Sequence, residues 1–425
     1  MIQVADKIDC CGCEACKQVC PKQCIEMNLQ EGFYYPQVDS NRCIECGLCE
    51  KVCPIKHIPE RKEPKSVLAA KHHDEVIRFK SSSGGIFTAI AKRVIECGGV
   101  VFGAKFNSEW EVVHSYTDNK EGLEAFRRSK YVQSRIGDSY QKAQRFLKDG
   151  RKVLFTGTPC QIAGLKCFLR KEYDNLLTVD VVCHGVPSPD VWKEYIKELR
   201  PKGAAGKNTV FQSLKNMPVL TGISFRDKTT GWQKYGFSAW AGATEGSDEN
   251  SVFPPKESEK YRHDILQENV FMRGFLQDLY LRPSCHHCHF RNFRSGSDIT
   301  IADFWGVGRI FPEWNDDKGI SLIIQKNCNV NILEFCDVEK RKIPQANWNL
   351  AFKGNPSLFE DTPVNINSDQ FWLHFREKAN DLSSIITSNT TFPKQLQMRA
   401  NLDHLLLKLH LYNLVKKIVT YVRKS

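Results

Sequence analysis

A mixed α/β chain in three parts is predicted by three observations on this 425-residue sequence. One cysteine spacing occurs twice within the first 60 residues. Strand-like runs then alternate with helix-like runs through residues 66–310. The final stretch carries an apolar stripe at helical spacing together with much of the chain's excess positive charge. The expected division is a cysteine-bound module over residues 1–60, an α/β domain in two parts over 66–145 and 146–310, and a helical C-terminal extension over 311–425 that ends in a basic amphipathic helix.

Composition limits what the cysteines can be. Hydrophobic residues make up 41% and charged residues 26%, ordinary for a soluble globular protein. No stretch approaches eighteen uninterrupted apolar residues, and "MIQVADKID" lacks the basic and apolar regions of a secretory signal. A cytoplasmic chain is therefore expected. Thiols stay reduced there, so the eighteen cysteines read as metal ligands and not as a disulfide framework.

"CCGCEACKQVCP" contains C-x2-C-x2-C-x3-C-P as Cys10, Cys13, Cys16, Cys20 and Pro21, and "CIECGLCEKVCP" repeats it as Cys43, Cys46, Cys49, Cys53 and Pro54. This is the bacterial-type ferredoxin pattern for two [4Fe-4S] clusters. Cysteines at i, i+3 and i+6 lie on one tight turn and reach three corners of a cube, while the fourth serves the other cube. Cys10, Cys13, Cys16 and Cys53 are thus assigned to one cluster, and Cys43, Cys46, Cys49 and Cys20 to the other. Cys11 is expected to point away from its neighbours' cube, and Cys24 to lie in the core. A zinc module commonly uses two separated pairs instead.

"HIPERKEPKS", with two prolines and a run of charges, reads as a linker. Beyond it "SVLAA" is a strand, "SSSGGIFTAIAKRVIECGG" a glycine loop entering an amphipathic helix, and "VVFGAKF" with "EVVHSY" a strand pair. "RKVLFTGTPCQIAGLKCFLRK" reads as strand, loop and helix, and "LLTVDVVCHGVPSPDVWKEYIKEL" repeats that order. "GISFRDKTTGWQKYGFSAW" is a hairpin about residues 227–231, and "SDITIADFWG" and "GISLIIQ" are further strands of a mixed sheet. "IEMNLQEGFYYPQVDS" is expected to form a hairpin between the two cysteine runs. "GATEGSDENSVFPPKESEKYR" reads as an inserted surface loop or a cover over the site.

In "SSSGGIFTAI", Gly84 and Gly85 let backbone approach a ligand, and the following helix turns its free N–H groups toward the turn, which suits a phosphate. A plain helix cap is the competing reading. The stretch is neither a G-x-x-x-x-G-K-[ST] loop nor a G-x-G-x-x-G fingerprint. Cys160 of "TGTPCQ" and Cys183 of "VVCHG" follow two successive strands, whose carboxyl ends face the ligand crevice in open α/β sheets. "RPSCHHCHF" adds Cys285 and Cys288. The four thiols are enough for a third cluster. A zinc site completed by His286, His287 or His289 is the alternative.

Together "SSGGIFTAI", "SKYVQS", "TGTPCQIAGLK", "VDVVCHG", "SFRDKTTGW" and "CHHCHFRNFRSGSDITIADFWG" resemble the beta-subunit family of coenzyme F420 hydrogenases and dehydrogenases, from about Ser81 to Gly306. The resemblance implies FAD in the α/β domain and a nearby third [4Fe-4S] cluster on Cys160, Cys183, Cys285 and Cys288. It implies a flavin site at Ser83, Gly84, Gly85, Thr88, Lys130, Thr156, Gly157 and Thr158. It also implies an oxidoreductase that exchanges electrons with a ferredoxin-like or reduced-cofactor partner and acts on an organic substrate or a deazaflavin. Chains with this ferredoxin front and a long extension resemble proteins encoded with surface-polysaccharide genes, so polysaccharide biosynthesis is one expected setting. The competing function is a non-catalytic subunit relaying electrons to a partner enzyme, for which the first sixty residues would suffice.

No catalytic residue is named outright. Arg226 and Lys228 could grip an anion and His184 could deliver a proton. Against this, residues 226–231 read as a turn with solvated charges. Asp298 and Asp303 read as turn caps, and Cys97, Cys167, Cys328 and Cys336 as buried apolar residues. In the tail, Leu402, Leu405, Leu406, Leu409, Tyr412, Val415, Ile418, Val419 and Val422 form the stripe. Residues 393–425 hold seven Lys or Arg against one Asp, +6 of the net +11. Such a helix packs its stripe on the body or on a partner, or lies peripherally on the inner face of a membrane. Nucleic-acid binding is not expected, because the charge is not spread over a groove with interleaved aromatics.

Overall fold

The structure, a computed structural model, describes residues 2–4, 6–201, 219–242, 258–327 and 337–422. Strands β1 (Ile25–Gln30) and β2 (Phe33–Val38) form the hairpin expected between the two cysteine runs. Gly32 at its turn has φ 82°, and a side chain there would collide with Trp372 of the helix Ser368–Glu377. The C-terminal extension therefore reaches back to clamp the N-terminal module.

β3 (Ser66–His72), β4 (Val100–Phe106), β5 (Val112–Thr117), β6 (Val153–Gly157) and β7 (Leu176–Val181) belong to the main sheet. β8 (Val219–Asp227), β9 (Gly236–Gly242) and β10 (Glu259–Ile265) form a separate antiparallel sheet. β11 (Ile299–Asp303), β12 (Ser321–Gln325) and β13 (Val338–Lys342) return to the main one, whose order is β13-β3-β12-β11-β7-β6-β4-β5. β4, β6, β7 and β11 run parallel, while β5, β12 and β13 run against their neighbours. β3 pairs antiparallel with β12 and so shares the sense of β11. Five carboxyl ends thus lie along one edge, the edge at which open α/β sheets bind ligands.

Alternation along the strands builds a layer on each face. Val101, Leu154, Val179 and Ile299 pack with Ile86 and Ile90 of the helix Ile86–Glu96. Val100, Phe102, Val153 and Phe155 pack with Tyr140 and Ala143 of the helix Ser139–Lys148 and with Ile162 and Phe168 of the helix Pro159–Leu169. Cys11, Cys13, Ala15 and Val52 join that second cluster, so the N-terminal module packs on the outside of this helical layer.

Four expectations need correction. Arg226, Asp227, Lys228 and Thr230 are buried, not solvated. Lys228 Nζ donates to the carbonyls of Arg78 (2.9 Å), Ser83 (2.8 Å) and Lys318 (2.8 Å), which replaces its hydration and ties three loops together. Cys97 is exposed at the end of its helix, and Cys167 is only partly buried. The basic tail is two helices, Lys394–Lys408 and Tyr412–Val422, with His410 at φ 56° between them. Most of its stripe faces solvent: Leu402, Leu405, Leu409, Ile418 and Val419 are exposed, and among the described stripe side chains only Tyr412 is buried. Cys328, Cys336 and residues 243–257 of the inserted run lie outside the described residues.

The N-terminal module is held by polar contacts to backbone. Gln18 Oε1 accepts from Tyr140 N (2.9 Å), Glu14 Oε1 accepts from Ile136 N (2.9 Å), and Gln133 Nε2 donates to Cys11 O (3.1 Å). Gly164 sits at the closest approach: a Cβ there would stand 2.8 Å from both Cys13 Cβ and Tyr140 Oη. Gly164→Ala should therefore overpack this contact. The expected loss is about 1–3 kcal/mol in denaturant unfolding of the anaerobically purified protein, with a drop in iron content. Wild-type stability and iron would show that the two parts do not meet here.

Candidate functional site

The eight N-terminal cysteines fall into the two sets that spacing assigns. Cys10, Cys13, Cys16 and Cys53 line one cavity of about 190 Å³, and Cys20, Cys43, Cys46 and Cys49 line another of about 20 Å³. The two loops have matching backbones: Gly12 and Glu14 in the first, and Glu45 and Gly47 in the second, all have φ between 52° and 70°. Alternating left-handed residues turn successive N–H groups inward, the concavity that suits an anionic cluster. Burial separates the loops. A side chain at Gly12 would meet Gln133 and Arg282, whereas Gly47 faces open space and Cys46 is exposed. Cys24 is buried as expected, with its Sγ 3.4 Å from Cys20 Sγ.

Cys11 turns toward Cys160 and lies next to Cys13, close enough that the three thiols perturb one another. Cys160 opens the helix Pro159–Leu169, and Thr158 Oγ1 lies 3.2 Å from its Sγ. Cys160, Cys183, Cys285 and Cys288 line one cavity of about 50 Å³. Val186 N donates to Cys285 Sγ (3.4 Å). Burial, then the neighbouring thiols, pushes Cys285 up to about 12 and Cys288 up to about 11. Such thiols become thiolates only when a cation in the cavity supplies the compensating charge. His286 Nδ1 is 3.0 Å from Thr362 O, and His287 and His289 are exposed. None of the three lines this cavity, and the histidine that does, His184, has Nε2 engaged by Asp278 (2.5 Å), so the four thiols are the donor set the site offers.

Against this cavity lies a larger one of about 540 Å³, within the range of roughly 300–1,000 Å³ usual for cofactor sites. Residues 182–186 and Ser357 line both. The large cavity occupies the carboxyl edge of the sheet. Ser83, Gly85, Lys130, Thr156, Gly157 and Thr158 line it, as do His184 and Arg226. Gly84 and Thr88 stand behind the lining. Gly84 N donates to Ser321 Oγ (3.0 Å), and a side chain there would strike the backbone of β3 and β12. Thr88 Oγ1 accepts from Arg127 Nε (3.2 Å). Gly85, at φ 90°, caps the helix Ile86–Glu96 and leaves room for His72 behind it.

Sequence reasoning missed several wall residues. Arg127 and Arg128 join Lys130 beside the serine-glycine loop, to which Ser129 N donates at Ser82 Oγ (2.7 Å), forming a basic end that fits a diphosphate. "FRRSKY" holds these three cations within four residues, a signal that could have been read. Arg226 pairs with Asp303 (3.1 Å), bonds Tyr131 Oη and Ser82 O, and lies 3.9 Å from the centre of the Tyr235 ring. Asp303 also accepts from Trp232 Nε1 (2.8 Å), so it anchors the cavity wall and is no simple turn cap. His184 Nε2 is 2.5 Å from Asp278 Oδ1. His114, also in the wall, is neutral near pH 7 because burial lowers it to about 4.

The chain matches three family models. Residues 67–139 match the N-terminal part, and residues 150–334 the C-terminal part, of the coenzyme F420 hydrogenase/dehydrogenase beta subunit. Residues 9–57 match a 4Fe-4S dicluster domain. The chain belongs to the coenzyme F420 hydrogenase/dehydrogenase beta-subunit family. With its dicluster domain it is a family member built as an iron-sulfur electron-transfer oxidoreductase. One similar solved structure is a xenon-derivatised F420-reducing [NiFe] hydrogenase complex from Methanosarcina barkeri. It is 15% identical with a TM-score of 0.40, covering 76% of this chain and 91% of that chain. No curated protein matches.

The basic end of the cavity predicts a pH dependence. Burial and the charge of Arg128 push the Lys130 ammonium down to about 7. Above pH 7 an anionic ligand must first draw a proton onto Lys130, so binding is strongest below that value and weakens as pH rises through it. Affinity for an anionic nucleotide probe such as ADP should fall by up to about tenfold per pH unit above 7, and Lys130→Met should flatten the profile. An unchanged slope in that variant would remove Lys130 from the anion site.

Proposed function

We propose that this family member is a reductase in which electrons enter at the exposed Cys20/Cys43/Cys46/Cys49 loop and pass inward by way of Cys10/Cys13/Cys16/Cys53 and a third four-cysteine site to FAD in the 540 Å³ cavity. An organic substrate or a deazaflavin then exchanges electrons at that cavity. The observation that carries the reading is the shared wall of residues 182–186, with Cys183 between the four-thiol cavity and the large one. Flavin beside a [4Fe-4S] cluster supplies the conversion between single electrons and an electron pair.

The chain's own residues do the rest. The serine-glycine loop and the cations Arg127, Arg128 and Lys130 hold the anionic part of the cofactor. Tyr235 and Trp305 flank the Arg226 guanidinium, which bonds Ser82 O (3.2 Å), and close the wall beside the serine-glycine loop. Asp303 keeps Arg226 oriented into that wall, and Asp278 orients His184 at the junction of the two cavities. The deazaflavin and surface-polysaccharide precursors are the substrates to try first. The relay reading does not need this chamber, whose walls come from residues 81–357 and not from the ferredoxin module.

Metal and flavin content of protein purified without oxygen tests the proposal. About twelve irons with one FAD are expected. Cys285→Ala should leave about eight irons and stop flavin reduction by a ferredoxin donor, with the N-terminal cluster signals intact. Unchanged flow into the flavin would overturn the third-cluster assignment. A flavin-free protein with eight irons would favour the relay.

A further inference from the structure

The C-terminal helices dock on the body by their polar side. Lys234 pairs with Asp403 (3.0 Å), His404 with Glu268 (2.8 Å) and Lys416 with Asp317 (2.6 Å), and Tyr412 Oη donates to Thr230 O (3.0 Å). Ala400, Asp403 and Tyr412 are the buried residues. The apolar side faces away: Met398, Leu402, Leu405 and Leu409, at i, i+4, i+7 and i+11, and Leu414 and Ile418, are each more than half exposed. This reverses the usual arrangement of a surface helix. Val364 and the 95%-exposed Ile366 are further uncovered apolar residues. They flank Asn365, which bonds Gln277 O (2.5 Å), and the Gln277 side chain in turn bonds Thr391 at the start of the same segment.

Charge says what covers this face. Lys394, Arg399 and Lys408 are exposed beside the leucines. The single acidic residue of 393–425, Asp403, is turned inward and paired with Lys234. The outward surface is thus apolar and cationic with no acidic residue of its own segment exposed. That pattern fits an anionic lipid surface, with leucines at the acyl boundary and Lys and Arg at the phosphates. No helix among the described residues is long and apolar enough to cross a membrane.

We propose that this helical pair is a monotopic anchor that docks the protein flat on an anionic bilayer through Met398, Leu402, Leu405, Leu409, Leu414 and Ile418. The anchor rests on the reductase reading only for its consequence. Residues 230–235 hold the helices on one side and supply the cavity wall on the other. Trp232 stacks on Trp305 at 4.5 Å, and Tyr235 lines the chamber. Docking therefore places the helix pair between the lipid surface and this wall of the chamber.

Flotation of the full-length, anaerobically purified protein with lipid vesicles tests the anchor. It should float with phosphatidylcholine vesicles containing phosphatidylglycerol, and only weakly with phosphatidylcholine alone. Binding should fall at about 1 M salt, where the Debye length is about 3 Å. Leu402→Glu/Leu405→Glu should weaken binding by about tenfold or more, and Lys394→Glu/Arg399→Glu/Lys408→Glu should abolish the preference for the anionic lipid. Iron content and melting temperature confirm that each variant is folded. Absence of flotation on anionic vesicles, or a leucine double variant that floats like wild type, would overturn the anchor. So would a dimer in light scattering that the double variant splits, because the face would then bind a second copy. Flotation does not depend on flavin: a flavin-loaded chain that fails to float refutes the anchor alone, and a floating chain without flavin refutes the reductase alone.

Discussion

Arg282 is the residue on which the assembly depends. Its guanidinium is fully buried and makes no ion pair with a carboxylate among the described residues. Nε donates to Cys10 O (2.7 Å), Nη1 to Gln133 Oε1 (2.9 Å) and Nη2 to Tyr34 O (3.1 Å), while the Tyr35 ring lies 4.4 Å away. Burying a cation costs several kcal/mol unless its donors and charge are both answered. Carbonyls and an aromatic face answer the donors. Arg282 also lies near the thiols of Cys160 and Cys285, where its charge opposes the upward shift that burial imposes on them, and its carbonyl partner Cys10 belongs to the inner ferredoxin loop. The cation thus sits between the inner ferredoxin loop and the cavity of Cys160 and Cys285. This gives a physical reason for the ferredoxin module to sit at one place on the α/β domain.

That placement orders everything else. The inner cysteine loop is pressed on the helix that carries Cys160, the outer loop meets solvent at Cys46, and Cys183 lies beyond, in the wall of the large chamber. The direction from surface to chamber follows from burial alone. It depends on a mixed sheet in which β3, β4, β6, β7 and β11 all end at the same edge, because only then do the serine-glycine loop, the Thr156 turn and the Cys183 turn face one space.

Local spacing made part of this readable in the sequence. The two cysteine runs, the hairpin between them, and Cys160 and Cys183 at successive strand ends all depend on neighbours within a few residues. What was hidden depends on distant packing. The stretch Arg226 to Gly231 has the composition of an exposed turn, yet it is buried, because loops from residues 78, 83 and 318 converge on Lys228. Arg282 carries no local signal, since its partners lie some 150 and 270 residues earlier in the chain. The break in the tail falls at Leu409, His410 and Leu411 with no glycine or proline to announce it. Spacing identified the apolar stripe, but the contacts of Asp403, His404, Tyr412 and Lys416 with the body decide which way it faces.

The buried turn and the outward stripe have one cause. Lys228, Thr230 and Lys234 spend their polar groups on the serine-glycine loop and on the C-terminal helices, so this turn is covered on both sides by protein. In the helix Lys394–Lys408 the contact of Asp403 with Lys234 turns Met398, Leu402 and Leu405 outward, because they lie on the other side of the helical cycle, and in the helix Tyr412–Val422 the contacts of Tyr412 and Lys416 do the same for Leu414 and Ile418. The orientation that exposes the stripe is therefore the orientation that completes the wall behind the chamber, and the apolar face is a consequence of how the site is closed.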